Sequence, residues 1–470
     1  MKGLFIISGL GILAMLAEIF KFKKILYPLV LVGILAAYAM TFVDWNPPTD
    51  HLSRLDELTA SFSNMIRFDQ VALAFSGVIL VTAFFWFILA SHYFENETNI
   101  TDHFALVLFA LVGALMLTSF SNMTTLFLGV EILSIPMYVL AASRKKDIAS
   151  NEAGFKYLIM GSFASGFLLF GIALVYGATG TFDLGGISHY ISNSHGDVPA
   201  FFYAGVIMML IALCFKVSAA PFHFWAPDVY EGSPTVITAL MSTVVKTAAF
   251  AALMRLFNVG FHHIGDVWGQ IMAVVIGLSL VISNITAASQ QSVKRMLAYS
   301  SISHAAFMLM GVLANKNGFD SISSILYYSL AYSVGSIASF TVLYNVSKDN
   351  NGHIEAFNGL SKRNPFLAVC MVVALLSLAG IPVTAGFFAK YFIFTTLIGT
   401  PYKWLLGVAV VTSAIGAYYY FKVLIAMYFK PAISTEPVKV EMSHTVLLII
   451  TTLFTLAIGI VPGYIIGIFK

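Results

Sequence analysis

Long apolar stretches recur along this chain, and they restrict its fold more than any other feature. Each is about 20 residues long, enough to cross a hydrocarbon core of roughly 30 Å as a helix. We place fourteen of them near residues 3–20, 25–43, 71–93, 103–120, 122–142, 155–178, 200–224, 233–258, 268–287, 296–314, 321–347, 365–396, 402–429 and 443–467. Only 10% of the residues are charged, against about 25% in soluble domains. The sequence therefore predicts an integral membrane protein.

The stretches favour helices over barrel strands. They are rich in Leu, Ile, Phe and Ala and lack ten-residue segments of alternating hydrophobicity, so we predict an all-α polytopic bundle of about fourteen transmembrane helices. The first stretch begins like a secretion signal, but no small-residue cleavage site follows it, and we interpret it as a retained helix.

Basic residues in the connections predict the orientation. Fourteen Lys and Arg residues follow odd-numbered stretches and seven lie on the other side. By the positive-inside rule, the first set is cytoplasmic and both termini are on the outer, periplasmic side of a bacterial inner membrane. Lys294 and Arg295 are interpreted as cytoplasmic anchors.

Composition also excludes several functions. Cys214 and Cys370 are the only cysteines, too few for a disulfide framework, a zinc site or an iron-sulfur cluster. Neither a GxGxxG nor a GxxxxGK[ST] phosphate loop is present. The net charge of +3 is spread over the loops and does not indicate nucleic-acid binding. We predict no metal and no cofactor bound by this chain.

Four charged residues interrupt the apolar stretches. Lys216, Lys246, Lys390 and Glu131 each lie deep inside one, where an ionisable side chain costs roughly 2.5 to 3.5 kcal/mol and normally faces a partner or internal water. These four residues are the predicted proton-carrying site. The alternatives are a snorkelling lysine beside a helix kink, a static hydrogen-bonded lysine and a static buried ion pair.

Their chemistry suits proton transfer. Burial weakens a lysine's hold on its proton and a nearby carboxylate restores it, so making and breaking a Glu131–Lys216 pair could act as a proton valve. Lys246 would accept the proton laterally and Lys390 would pass it toward the opposite face, with water bridging wider gaps.

A weak internal repeat predicts the domain organisation. KVSAAPFHF at 216–224 can be laid over PVTAGFFAK at 382–390, and a similar offset relates the five stretches of 103–258 to those of 268–429. Five helices per unit make the second copy enter the membrane from the opposite face. We predict N-terminal helices 1–3 in 1–100, inverted five-helix units in 101–260 and 261–430, and a C-terminal helix in 431–470.

Helix-breaking residues lie beside two of the lysines. Pro221 follows Lys216, and Gly380 and Pro382 precede Lys390. Because proline removes a backbone donor, we expect broken seventh and twelfth helices, whose freed carbonyl groups are tolerated only where protein or water satisfies them.

Three weaker candidates accompany the four charges. His304 and Tyr299 give the tenth stretch a polar cytoplasmic half suited to a water-lined half-channel, although simple helix packing would use the same residues. His223 follows Lys216 by about two turns and either joins the site or, as we favour, caps the broken helix.

Four stretches carry a resemblance to a known family. The chain resembles subunit N of bacterial respiratory complex I, the proton-translocating NADH-quinone oxidoreductase, in LFLGVEILSIPMYVL, APFHFWAPDVYEGSPT, QQSVKRMLAYSSISHAAFMLMG and LSLAGIPVTAGFFAKYFIF. The similarity covers roughly residues 100–430, and PDVYEGSPT and KRMLAYSSISH are its most specific parts.

This resemblance implies a fold, a role and partners. The family has fourteen helices with broken seventh and twelfth helices, and Glu131, Lys216, Lys246 and Lys390 occupy its Glu and Lys positions. The implied role is a proton channel in the membrane arm of a translocase, beside other membrane-arm subunits in the bilayer. NADH, FMN, iron-sulfur clusters and quinone would belong to partner subunits.

Two other functions remain open from the residues. A subunit of a multisubunit cation/proton antiporter would use the same buried charges without redox chemistry. A structural membrane-arm spacer would not need them at all.

Overall fold

The computed structural model describes residues 2–20, 23–45, 65–95, 100–194, 198–314, 319–347, 352–432 and 436–468. We number the membrane-crossing helices α1 to α14 in chain order. They are α1 (Lys2–Ile19), α2 (Lys23–Trp45), α3 (Gln70–Leu89), α4 (Ile100–Ser119), α5 (Met123–Ala141), α6 (Ile148–Thr179), α7a (Ala200–Lys216), α7b (Trp225–Gly232), α8 (Thr235–Gly260), α9 (Gly265–Ser289), α10 (Val293–Leu313), α11 (Phe319–Val346), α12a (Pro365–Ala379), α12b (Ala385–Leu397), α13 (Trp404–Phe429) and α14 (Met442–Ile460).

The predicted all-α polytopic fold is confirmed. Twelve of these helices are long and apolar enough to cross a membrane. The seventh and twelfth crossings are each interrupted and contain shorter apolar helices, as predicted. Within the described ranges, β-structure is limited to three isolated bridges.

Two boundaries lie seven residues from those predicted, further than those of the other uninterrupted helices. Helix α6 starts at Ile148 rather than near 155, because the Asp147 side chain caps it by accepting a hydrogen bond from the Ala149 amide at 3.0 Å. Helix α14 ends at Ile460 rather than near 467. Pro462 then opens a separate short helix, Pro462–Ile468, since proline cannot continue the preceding hydrogen-bond ladder.

The centre of the bundle lies where the two five-helix groups meet. Helices α8 and α11 are buried along their apolar windows. Helix α8 packs on α10 and α11, and α7b packs on α10. Helices α3 and α14 close one side of this centre by packing on α11. Helix α10 also packs on α12b, so it contacts the elements that carry Lys246 and Lys390 as well as the second half of the helix that carries Lys216.

Pairs of backbone bridges reveal the inverted relationship between the groups. In the first group the α4–α5 connection pairs with the α6–α7a connection through Asn122 and Asp183. In the second group the equivalent α9–α10 and α11–α12a connections pair through Ser292 and His353. Asn122 and Ser292 also cap α5 and α10, respectively. Because one pair follows even-numbered helices and the other follows odd-numbered ones, the two pairs lie on opposite membrane faces.

Left-handed backbone marks both helix breaks. Ser218 (φ 62°) follows α7a, while Gly380 (φ 84°) and Val383 (φ 76°) follow α12a. This conformation is unfavourable for residues with a Cβ, and most of all for a β-branched one. The α7 halves are tied together by the Trp225 indole, which donates to the Phe215 carbonyl oxygen at 3.1 Å.

Candidate functional site

Lys216 is the last residue of α7a, and its ammonium group points toward α5. The side chain is only 5% exposed. Its Nζ donates a hydrogen bond to the Ser134 hydroxyl, one turn along α5 from Glu131. Glu131 accepts a 2.5 Å hydrogen bond from Ser165 on α6. The first lysine and the carboxylate are thus held by neighbouring serines.

The expected Glu131–Lys216 pair is not in direct contact. Glu131 acts on Lys216 electrostatically, but the ammonium group bonds to Ser134 instead of the carboxylate. A cavity of about 10 Å³ lies against both Lys216 and Ser165, roughly the space that one water molecule needs. Lys216 and Glu131 are therefore separated. The Lys216 ammonium group and the Ser165 hydroxyl border a gap with room for about one water molecule.

Aromatic rings enclose the Lys216 ammonium group. Its Nζ lies 5.8 Å from the Tyr138 ring centroid and 5.9 Å from that of Tyr157. Tyr157 stacks on Trp225 of α7b at 4.6 Å between ring centroids, so α7b holds one of the two rings in place. Cation–π contacts of this kind stabilise the charged form when other solvation is removed.

Lys246 occupies the centre of the bundle. Its side chain is 1% exposed, and Nζ donates to the Ser301 carbonyl oxygen and, at 2.9 Å, to the Ser301 hydroxyl on α10. The phenols of Tyr230 and Tyr332 lie within electrostatic range of Ser301. The serine that receives Lys246 therefore has two buried phenols near it.

His304 lies one turn beyond Ser301 on α10. Its Nδ1 is 2.7 Å from the Tyr328 hydroxyl and its Nε2 is 3.2 Å from the Tyr420 hydroxyl. Tyr420 in turn is 2.5 Å from the Ser300 hydroxyl. The imidazole is within electrostatic range of both Lys246 and Lys390. It is therefore placed between the central lysine and the lysine of α12b.

Lys390 is bound at the break in α12. Its Nζ donates to the Ala379 carbonyl oxygen at 2.8 Å and lies 4.9 Å from the Phe307 ring centroid. Phe307 is one turn beyond His304 on α10. The half-buried ammonium group therefore faces the same helix that receives Lys246.

The structure places the two other sequence candidates differently. Tyr299 packs half-buried against the apolar core, and the phenols bonded to His304 are Tyr328 and Tyr420 instead. His223 is buried between α7a and α7b, and its Nδ1 has no hydrogen-bond partner.

Sequence reasoning missed the hydroxyl groups that connect the charges. Ser134 and Ser165 are ordinary residues in apolar helices. Only the packing of α5, α6 and α7a against one another brings them next to Lys216 and Glu131. Ser301 could have been found, since it lies in the polar YSSISH run of α10. The tyrosines of α11 and α13 had no comparable signal.

One predicted anchor has a different role. Lys294 is only 7% exposed, and its Nζ donates to the carbonyl oxygens of Ser233 and, at 2.9 Å, Glu231. Because α7b ends against α10, Lys294 donates hydrogen bonds to backbone carbonyl groups at the carboxyl end of α7b and does not extend toward lipid headgroups.

A polar vestibule opens beside Lys294. This cavity of about 830 Å³ is lined by residues from the odd-numbered connections and adjoining helix ends, among them Glu152, Lys156, Asp228, Glu231, Arg295 and His444. Lys156 bridges Glu152 at 2.7 Å and Asp228 at 2.8 Å, while Arg295 bridges Asp228 at 3.0 Å. The face predicted to be cytoplasmic thus carries a charged opening at the end of α7b.

Together these groups form an interrupted polar row through an apolar bundle. Lysine, histidine, serine and tyrosine can each pass a proton, provided that neighbours lie within hydrogen-bond reach directly or through water. In the described part of the chain no group of three His, Cys, Asp or Glu residues could hold a metal ion.

Comparison with known proteins gives a consistent assignment. Residues 119–416 match the family described as NADH:quinone oxidoreductase/Mrp antiporter. The NADH-quinone oxidoreductase subunit N of Flavobacterium psychrophilum is 42% identical over 98% of this chain and 99% of its own.

Solved structures agree on the fold. A chain of respiratory complex I from Thermus thermophilus superposes with a TM-score of 0.80 at 30% identity, covering 99% of this chain and 98% of that one. A chain of the Mrp complex from Dietzia sp. DQ12-45-1b gives 0.82 at 18% identity, covering 99% and 95%. At that identity the second likeness shows the fold alone.

Proposed function

The chain belongs to the subunit N family of NADH-quinone oxidoreductase, and we propose that it carries protons across the membrane arm of that complex through Glu131, Lys216, Lys246, His304 and Lys390. Electron transfer from NADH to quinone would take place in partner subunits. The chain would contribute proton transfer to the translocase and no redox step.

The contact between Lys246 and Ser301 carries this proposal. It joins α8 of the first five-helix group to α10 of the second inside the fully buried centre of the bundle. A lysine there needs a compensating role, because an isolated buried ammonium group is costly. A proton arriving from the Lys216 side would cross to the second group at this junction.

The proposed proton route has two segments. In the first, Ser134 and one water in the adjoining cavity would connect Glu131 with Lys216, and Tyr230, which lies near Ser301, would lead toward Lys246. In the second, Ser301, His304 and its two tyrosines lead toward Lys390. The gap at Phe307 has no direct hydrogen bond to bridge it, so water is required there.

The remaining assignments follow from the family. We propose five-helix units at 101–260 and 261–430, flanked by transmembrane helices 1–3 in 1–100 and by a C-terminal transmembrane helix in 431–470. FMN, iron-sulfur clusters and quinone belong to partner subunits. The chain resides in a bacterial inner membrane, with the vestibule facing the cytoplasm and both termini facing the periplasm.

The test measures pumping in the assembled complex. Lys216→Met and Lys246→Met are introduced separately, with Lys430→Met, an exposed lysine at the end of α13, as the matched control. In inverted membrane vesicles we expect both buried variants to lose most NADH-driven proton uptake while the complex still assembles. Normal proton uptake per NADH in both variants would falsify the relay.

The same vesicles distinguish the redox-driven proton relay from a cation/proton antiporter. Proton exchange that depends on a sodium gradient, without NADH or quinone, would assign the chain to that function. Dispensability of all four buried charges would indicate a structural spacer.

A further inference from the structure

Ser279 connects the second five-helix group to the break in the first. It lies in the middle of α9, the first helix of the second group, and is fully buried. Its hydroxyl donates to the Val275 carbonyl oxygen one turn earlier at 2.7 Å. The same oxygen accepts a hydrogen bond at 2.8 Å from the amide of Ala220. Ala220 belongs to the break between α7a and α7b, so a side chain of one group holds the backbone of the other.

The break in α7 leaves buried amides that an uninterrupted helix would satisfy. The Ala219 amide donates to the Cys214 carbonyl oxygen at 2.8 Å, and this bond closes the end of α7a around Lys216. The next amide, that of Ala220, donates to α9 instead. Because Pro221 has no amide hydrogen, the bond to α9 holds the last donor before the proline.

The break in α12 satisfies its corresponding amide within the same broken helix. Gly386 aligns with Ala220 in the internal repeat, and its amide donates to the Ser377 hydroxyl at 3.1 Å. Ser377 belongs to α12a, the first half of that helix. At this position the α7 break therefore depends on a helix of the other group, and the α12 break does not.

The position of α9 is set mainly by its own group. It packs on α10 and α13 and also contacts α7a. The Ser279–Ala220 bond lies four residues beyond Lys216, the last residue of α7a. We propose that Ser279 is a positioning residue, which keeps the Lys216 ammonium group directed at Ser134 by holding the α7 break. This role rests on the proposed proton relay, because the direction of Lys216 matters to pumping only if Lys216 carries protons.

The bond acts on Lys216 through the turn that contains it. Without the Ser279 hydroxyl, the Ala220 amide is buried with no acceptor, which is unfavourable, and the peptide group rotates toward another acceptor or water. Ala219 is the adjacent residue, so the same rotation disturbs its bond to Cys214. Lys216 lies inside the turn that this bond closes, and its side chain then loses its fixed direction.

The test compares three variants of the assembled complex. Ser279→Ala removes the hydroxyl and Ser279→Thr keeps it. Ser283→Ala is the matched control, because Ser283 lies one turn further along α9, is equally buried, and has a hydroxyl with no hydrogen-bond partner among the residues that the structure describes. Hydrogen–deuterium exchange of peptides covering residues 216–224 measures the protection of the break. Initial rates of NADH-driven proton uptake in vesicles measure transfer.

We expect the break in Ser279→Ala to exchange several-fold faster than in the wild type, and proton uptake to slow several-fold. Ser279→Thr should recover most of both properties, and Ser283→Ala should match the wild type in both. Equal effects of the two alanine variants would overturn the proposal, since loss of any buried hydroxyl from α9 would then suffice. A threonine variant no better than Ser279→Ala would also overturn it, because the hydroxyl would not be the cause.

The two readouts separate this role from the relay on which it rests. Unchanged exchange in Ser279→Ala would overturn the proposal, because the break would then be held without this bond. Faster exchange with normal proton uptake, in a complex where Lys216→Met blocks uptake, would overturn it as well, since a working relay would tolerate the loosened break. Normal uptake in Lys216→Met would instead overturn the relay, and the role of Ser279 with it.

Discussion

Lys390 reaches back across the break in α12 and donates a hydrogen bond from Nζ to the carbonyl oxygen of Ala379 at 2.8 Å. Ala379 is the last residue of α12a, so the cation lies at the negative end of a helix dipole. Lys216 is itself the last residue of α7a. Both lysines of the broken helices are therefore placed at the carboxyl end of a half-helix.

Gly380 makes room for the Lys390 contact. A Cβ at this position would lie 2.9 Å from Lys390 Cδ and 3.2 Å from Nζ, and the backbone is left-handed at φ 84°. We expect Gly380→Ala to displace the lysine and to destabilise the break by about 1–2 kcal/mol. Proton uptake per NADH and thermal unfolding in detergent measure the two effects.

Gly407→Ala is the matched control for that substitution. Gly407 lies within α13, and a Cβ there would meet nothing within 4 Å. Equal proton uptake by the two alanine variants would show that the Lys390 contact is not needed.

Ser134 is expected to be required for proton transfer beside Lys216. Ser134→Ala removes the hydroxyl that receives the Lys216 ammonium group, and hydrogen bonds to charged groups contribute about 1.5–3 kcal/mol. If the loss falls on the transfer step, pumping slows roughly tenfold or more. Initial rates of NADH-driven proton uptake test this, and Ser134→Thr, which keeps the hydroxyl, should recover much of the rate. A fast alanine variant would remove Ser134 from the route.

Ser165 should matter through Glu131. The 2.5 Å bond from Ser165 holds the carboxylate, and Ser165 also lines the water-sized cavity. We expect Ser165→Ala to lower the pumping rate several-fold, because a partly buried carboxylate loses a donor. Ser162→Ala on the same helix is exposed and should behave like the wild type. Matching rates for the two variants would contradict a role for this hydroxyl.

The two phenols on His304 should have separable effects. Tyr420→Phe removes the partner of Nε2 and Tyr328→Phe the partner of Nδ1. If the imidazole relays protons, each change should reduce pumping and their combination should reduce it more than either. Proton uptake in vesicles is the measurement. Tyr418→Phe, an exposed position of α13, controls for the loss of a phenol, and unchanged pumping in the double variant would leave His304 with a packing role.

Asp69 and Arg255 offer a stability test away from the relay. Arg255 is 6% exposed, pairs with Asp69, and donates from Nε to the Thr118 carbonyl oxygen at 2.5 Å. Breaking a buried ion pair from one side costs about 3–5 kcal/mol, reduced here because Asp69 is partly exposed. We expect Asp69→Asn to lower the thermal unfolding temperature, and an unshifted transition would mean that the Thr118 bond suffices.

The sequence alone determined the class of protein, the number of crossings and the residues most costly to bury. Those properties are local, since twenty consecutive apolar residues can satisfy their backbone in a bilayer only as a helix, and a lysine inside such a stretch is conspicuous wherever the helix packs. Both helix breaks were also predictable from the sequence, because the backbone preferences of Gly380, Pro382 and Pro221 act within a few residues.

Tertiary structure decided which groups meet those charges. Nothing in the order of residues indicates that Lys216 bonds to Ser134 rather than to Glu131, that Lys246 crosses to Ser301, or that Tyr328 and Tyr420 rather than Tyr299 bind His304. The burial of Lys294 likewise depends on where α7b ends against α10, which the sequence around it does not indicate. Serine and tyrosine are common in membrane helices, and only the packing of helices distant in sequence gives particular ones a charged neighbour.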